Sequence, residues 1–181
     1  MIRFVLILCA VLLCAVLAWT PAFAANFVPS TPKEVEFVVR DRDGVTHAAP
    51  EFRARLTLLH FWASWCLPCR DELPALAALQ SDLRKDGVRV VAVSVDRLGW
   101  DVIDRTTEKL DVHGLELFHD RDREAAAALG IRGLPTTVLV DGEGREVARM
   151  KGQGDWASDA VRRELLDLAT PRKSDDGGLA R

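Results

Sequence analysis

Apolar and polar positions alternate between two periods along this chain. Leu56 to Ala63 is a short, almost wholly apolar run, as expected of a central strand buried on both faces. From Cys69 onward Leu73, Leu76, Leu79 and Leu83 recur near helical spacing, which predicts a helix to about Arg84 with a stop at Gly87. Pro74 lies inside that helix and should kink it, because it has no N–H for the ladder. Val88 to Val95 is β-branched and reads as a buried parallel strand. After a loop at Asp96–Gly99 come a helix over Asp101–Leu110 and a short strand over Leu115–Phe118. Arg121–Leu129, with four consecutive alanines, predicts a strong helix ended by Gly130. Thr136–Val140 is a strand that Asp141-Gly142-Glu143-Gly144 turns back into Arg145–Met150, and Asp155 is placed to cap a last helix over Trp156–Leu168.

Upstream, Glu34 to Arg40 alternates as a strand, Asp41–Gly44 turns, and Val45–Ala48 can return as its hairpin partner. Residues 25–33 hold two prolines and no periodicity and read as a linker; the polar, glycine-bearing tail 170–181 reads as disordered. Residues 34–169 then form one α/β domain, a mixed sheet with helices on both faces, without an internal repeat or a second domain.

The chain has 181 residues, 49% of them hydrophobic, and its start accounts for part of that figure. Arg3 precedes an apolar run from Phe4 to Ala18, and Ala22-Phe23-Ala24 fits the small-residue rule for signal peptidase, so residues 1–24 read as a signal peptide. The alternative is an uncleaved membrane tether through residues 4–19, although the run is short for a bilayer span. With Arg3 held inside, both put residues 25–181 outside the cytoplasm. Cys14 follows Val11-Leu12-Leu13, which lacks the small residue a lipoprotein site wants. Cleavage removes Cys9 and Cys14 and leaves 23 basic against 27 acidic residues, a charge of −4. No basic run stands out, so nucleic acid is a poor partner.

Two cysteines then remain, Cys66 and Cys69, a single Cys-x-x-Cys pair in an oxidising compartment. They sit where a strand hands over to the first turn of a helix, whose free N–H groups and dipole favour a thiolate. Cys66 is the expected nucleophile, Cys69 resolves the mixed disulfide, and Pro68 rigidifies the turn. A purely structural disulfide here would close too small a loop to stabilise much. Zinc would need two further ligands, and His47, His60, His113 and His119 show no paired spacing. The expectation is therefore no metal and no cofactor beyond a redox-active Cys66–Cys69 disulfide. Trp65, Leu67 and Pro68 are candidate substrate-binding residues, with Trp65 as an apolar lip; Trp62 is either a second wall or core packing.

Trp65-Cys66-Leu67-Pro68-Cys69, the proline inside the next helix, and Gly133-Leu134-Pro135-Thr136-Thr137 before a late strand resemble the thioredoxin fold. The leader, the long segment between Val95 and Pro135, and the run Trp65 to Pro74 are similar to the TlpA/ResA/CcmG group of exported thioredoxin-like proteins, over roughly Glu34 to Leu168. Ser94-Val95-Asp96-Arg97 and Arg132-Gly133-Leu134-Pro135 are most like TlpA within that group. The resemblance implies an extra α/β insertion and a cis peptide at Pro135 set against the disulfide, leaving Leu134 free to pair with an extended substrate.

Thioredoxins carry a buried acid where this chain has His60. A neutral imidazole there could take a proton from Cys69 and titrate near neutral pH, or be a satisfied core histidine. Glu72 matches an acid of the group and reads more simply as an acid favoured in a helix's first turn; Arg70 is a helper to the thiolate or a solvated cation. The group's substrate-selecting acid has no secure match in Asp96–Asp101, while Arg97 and Trp100 make that loop a candidate partner surface. Leu67-Pro68 carries no charge to stabilise a thiolate, so the expected potential is reducing, below roughly −200 mV. The resemblance implies recharging by a membrane electron donor of the DsbD/CcdA type. It also implies protein substrates with disulfides or metal-binding cysteines, as in cytochrome c or oxidase copper-centre assembly. The competing readings are a copper-binding chaperone, whose usual spacing Cys66-Leu67-Pro68-Cys69 does not match, and a general disulfide oxidase, whose Cys-Pro-His-Cys is absent.

Overall fold

A computed structural model describes residues 27–170; the signal peptide or tether, residues 25–26 and the tail beyond Thr170 lie outside the described residues. Among the described residues eight strands form one sheet: β1 (Val28–Glu34), β2 (Val38–Arg40), β3 (Thr46–Ala48), β4 (Leu56–Trp62), β5 (Val88–Ser94), β6 (Glu116–His119), β7 (Thr136–Asp141) and β8 (Arg145–Lys151). The helices are α1 (Leu67–Leu83), α2 (Trp100–Lys109), α3 (Glu124–Ala128) and α4 (Asp159–Ala169). Strand order is β1-β8-β7-β4-β5-β6-β2-β3, with β4, β5 and β6 mutually parallel and β7 antiparallel to β4. This is a thioredoxin-like mixed sheet, and α2 with β6 supplies the extra α/β insertion ahead of the Pro135 loop.

The order follows from what each strand can bury. Every residue of β4 is buried, so it takes the centre, with β5 on one side and β7 on the other. The predicted linker is corrected by β1: Val28–Glu34 pairs antiparallel with β8. An edge strand tolerates the prolines that suggested a linker, and the pairing shifts register between Pro29 and Lys33 to pass Pro32. Consequently only Val38–Arg40 of the predicted Glu34–Arg40 strand pairs with β3.

The Arg121–Leu129 helix is also shorter than its alanines suggest. Arg123 adopts a left-handed φ of 61°, and the carboxylate of Asp120 accepts hydrogen bonds from the N–H groups of Ala125 and Ala126, so α3 starts only at Glu124. Nor does Asp155 cap the last helix. Ser158 does, accepting from Val161 N–H, while Asp155 gives its carbonyl to the Ser158 turn and Trp156 is buried. Helix α1 continues through Pro74 without ending.

The ring of His60 on β4 faces α1, and Arg162 of α4 pairs with Asp82 of α1, so α1 and α4 share one face of the sheet. On the other face, Arg149 of β8 shares a cross-strand row with Val138 and Leu59 and donates to the Leu129 carbonyl at the end of α3. Because β4, β5 and β6 run the same way, the loops that follow them meet at one end of the sheet, and the segment entering β7 joins them there. That end carries the cysteines. Among the described residues, no helix is long and apolar enough to cross a membrane.

Candidate active site

Strand β4 ends at Trp62, and the chain turns through Ala63-Ser64-Trp65 into α1. Asp96, buried at the end of β5, anchors that turn by accepting from Ser64 N–H at 2.8 Å and Ser64 Oγ at 2.7 Å. Cys66 is the N-cap of α1 and is disulfide-bonded to Cys69, with their Cα atoms 5.3 Å apart. Its Sγ accepts the Cys69 N–H at 3.4 Å, so an otherwise free helix N–H points at the sulfur that is to carry charge. Cys66 keeps 7% of its surface accessible and Cys69 none, as expected of an attacking and a resolving thiol. Trp65 and Leu67 are 67% and 62% exposed beside Cys66, and Pro68 is exposed with them. Trp62 is fully buried, which makes it core.

The Leu134–Pro135 peptide is cis, as the resemblance implied. Phe61 pairs with Thr136 across β4 and β7, so the next step of the register brings Pro135 to Trp62, at the mouth where β4 gives way to the cysteines. Pro135 is buried and Leu134 partly exposed.

His60 is fully buried, its Nδ1 2.9 Å from Thr137 Oγ1 on β7. Its environment corrects the expectation of a group titrating near neutrality: burial without an ionised partner pulls its pKa down to about 3. The group that does titrate there is Glu72. Reading it as an ordinary first-turn acid is wrong, because Glu72 is only 3% exposed and lies under α1 facing His60, its Oε2 3.7 Å from His60 Nε2. Desolvation lifts its pKa to about 7 against the opposing pull of the Gly154 N–H, which donates to Oε1, and of the nearby Trp156 indole; Asp71 adds a small push upward. Glu72 Oε2, His60 Nε2 and the indole N–H of Trp156 are buried with no full hydrogen bond. Glu72 stands three residues after Cys69 on the same helical face, so this polar island lies about one turn along α1 from the resolving cysteine.

Arg70 is half-buried in the same first turns of the helix. As for metals, no three His, Cys, Asp or Glu side chains among the described residues come together as a possible ligand group. The arrangement can ionise one sulfur, hold a second ready behind it, and exchange a proton with a carboxyl whose pKa is near neutral.

Residues 31–148 match the AhpC/TSA family. The chain is 32% identical over 139 residues to the thiol-disulfide oxidoreductase ResA of Geobacillus thermodenitrificans, covering 74% of this chain and 78% of that one. It is 28% identical over 117 residues to ResA of Bacillus thuringiensis, covering 65% of this chain and 66% of that one. A DsbE-type thiol:disulfide interchange protein of Chlorobium tepidum superposes with a TM-score of 0.69 over 79% of this chain and 100% of its own, at 22% identity, which bears on the fold. The chain belongs to the AhpC/TSA family and, within it, to the thioredoxin-like thiol-disulfide oxidoreductases of the TlpA/ResA/CcmG group.

Proposed function

We propose that this chain is an exported reductant of specific protein disulfides, acting on cysteines that must be free to receive haem or copper. The observation that carries the reducing direction is how little holds the Cys66 sulfur as an anion: one backbone N–H at 3.4 Å, and two uncharged residues, Leu67 and Pro68, between the cysteines. A poorly stabilised thiolate gives its electrons away readily. In the reduced protein the Cys66 thiolate attacks one sulfur of the substrate disulfide and releases the other as a thiolate. Cys69 then attacks Cys66, which expels the second substrate thiolate. Two electrons pass to the substrate, and a membrane donor of the DsbD/CcdA type restores the dithiol.

Equilibration with glutathione tests the direction, and a potential near the roughly −120 mV of DsbA would overturn it. A Cys69→Ala variant expressed in the native host will hold its target on Cys66 as a mixed disulfide that mass spectrometry identifies. Capture of proteins without haem- or copper-binding cysteines would sink the assembly role, and tight Cu(I) binding without insulin reduction would favour a copper carrier.

Glu72 serves as the proton carrier for Cys69, kept desolvated by its burial beneath α1. The rate of disulfide reduction is therefore expected to show an inflection near pH 7 that survives His60→Ala and disappears in Glu72→Gln. An inflection lost in His60→Ala and kept in Glu72→Gln would return the role to the histidine.

A further inference from the structure

The loops that meet beside Cys66 carry a concentration of positive charge that the sulfur chemistry does not use. Arg97 follows β5, and Arg121 and Arg123 follow β6, so parallel pairing brings them to the carboxyl ends of neighbouring strands, the end at which β4 runs into the cysteines. The connection to the site is direct: Asp96, next to Arg97, holds Ser64 two residues ahead of Cys66, and the Asp96 carbonyl is 2.6 Å from His119 Nε2 at the end of β6.

Arg97, Arg121 and Arg123 line one open concavity of about 400 Å³ together with the single acid Asp122. No carboxylate comes within ion-pair distance of any of the three among the described residues, whereas Arg42, Arg89 and Arg149 are each paired. The buried Asp120 makes no ion pair with them; both of its oxygens are directed at the first turn of α3, where they accept from Ala125 and Ala126 N–H. Three guanidinium groups against one carboxylate are not a by-product of composition in a chain of net charge −3. Leu98, 79% exposed, stands next to Arg97 in the same loop.

Resting on the oxidoreductase reading above, we propose that Arg97, Arg121 and Arg123 form a docking site for an acidic segment of the protein substrate, next to the disulfide that Cys66 attacks. Arginine suits the task, because its planar fork can hold a carboxylate through two hydrogen bonds. The concavity is open and wet, so the charge acts mainly on encounter rate and choice of partner. The preferred substrate is thus a protein with Asp or Glu flanking its reducible cysteines.

The test uses the reduced protein and three disulfide-bonded peptides that differ only in flanking residues, which are acidic, neutral or basic. Stopped-flow rates at low ionic strength should run acidic, then neutral, then basic, with acidic over neutral about tenfold. Salt should compress that ratio, since the cluster is solvent-exposed. In Arg97→Gln/Arg121→Gln/Arg123→Gln the ratio should fall to about one with the melting curve retained, while Arg163→Gln on α4 keeps it. Equal rates for the three peptides, or a ratio that persists in the triple variant, overturns the proposal. So does saturable inhibition by inorganic phosphate at constant ionic strength without any peptide preference, which would assign the cluster to a small free anion. Failure of the wild-type protein to reduce even the neutral peptide would instead overturn the oxidoreductase reading, and this proposal with it.

Discussion

Replacing Cys66 by Ser is expected to lower insulin-disulfide reduction by a factor of about 10³ or more, because a nucleophile lost from a cooperating pair takes nearly all the catalysis with it. Cys69→Ser should also stop turnover but leave the first step intact, so that mixed disulfides accumulate on Cys66. The asymmetry comes from the backbone. Cys66 caps α1, accepts the Cys69 N–H and retains an accessible edge, while Cys69 lies inside the first turn with none. Alkylation of the reduced protein by iodoacetamide at neutral pH should therefore label Cys66 first. Preferential labelling of Cys69, or mixed disulfides that accumulate on Cys69 in Cys66→Ser and not on Cys66 in Cys69→Ser, would sink the assignment.

The central part of this arrangement was open to sequence reasoning, and the reason is locality. The β4-to-α1 handover, the parallel β5 and the β7–β8 hairpin all follow from period, β-branching and turn residues within short windows. What escaped depended on partners far along the chain. Val28–Glu34 has no strand-like pattern of its own and becomes a strand because β8 offers it an edge. Asp120 and Arg123 shorten α3 by a turn that the alanine count cannot register.

At the site, the cysteines and the cis-proline were legible, but the burial of Glu72 beneath α1, facing His60, was not. A signal for Glu72 existed: three residues after Cys69 and one before Leu73, it falls on the stripe of α1 that faces the core. Its low exposure also depends on Gly154, whose N–H meets Oε1. A side chain at Gly154 would collide with Met150 Sδ at 2.6 Å, so the close approach needs glycine there. His60 was legible as buried, and that burial alone keeps it neutral; its contacts with Thr137 and Trp156, 77 and 96 positions away, were not legible.

A buried carboxyl, an imidazole and an indole with unmet hydrogen bonds are costly in a core otherwise filled by leucine and valine. Glu72→Gln should make that cost visible as a pH-dependent gain in stability. The unfolded chain holds the Glu72 proton to about pH 4.5 and the folded chain to about pH 7. A folded pKa raised above the unfolded one contributes stability that is fully present below pH 4.5 and is lost as pH climbs through 7. The shift corresponds to on the order of 3 kcal/mol lost by pH 8. Glutamine keeps an oxygen for the Gly154 N–H and never ionises. The oxidised variant should therefore match the parent near pH 4 and exceed it clearly at pH 8, read as the difference between their guanidinium unfolding midpoints. All other titrating groups are common to the two proteins, so the change in that difference with pH belongs to this one carboxyl. A difference that is the same at both pH values would mean that Glu72 ionises like an exposed glutamate, and the proton carrier would have to be sought elsewhere.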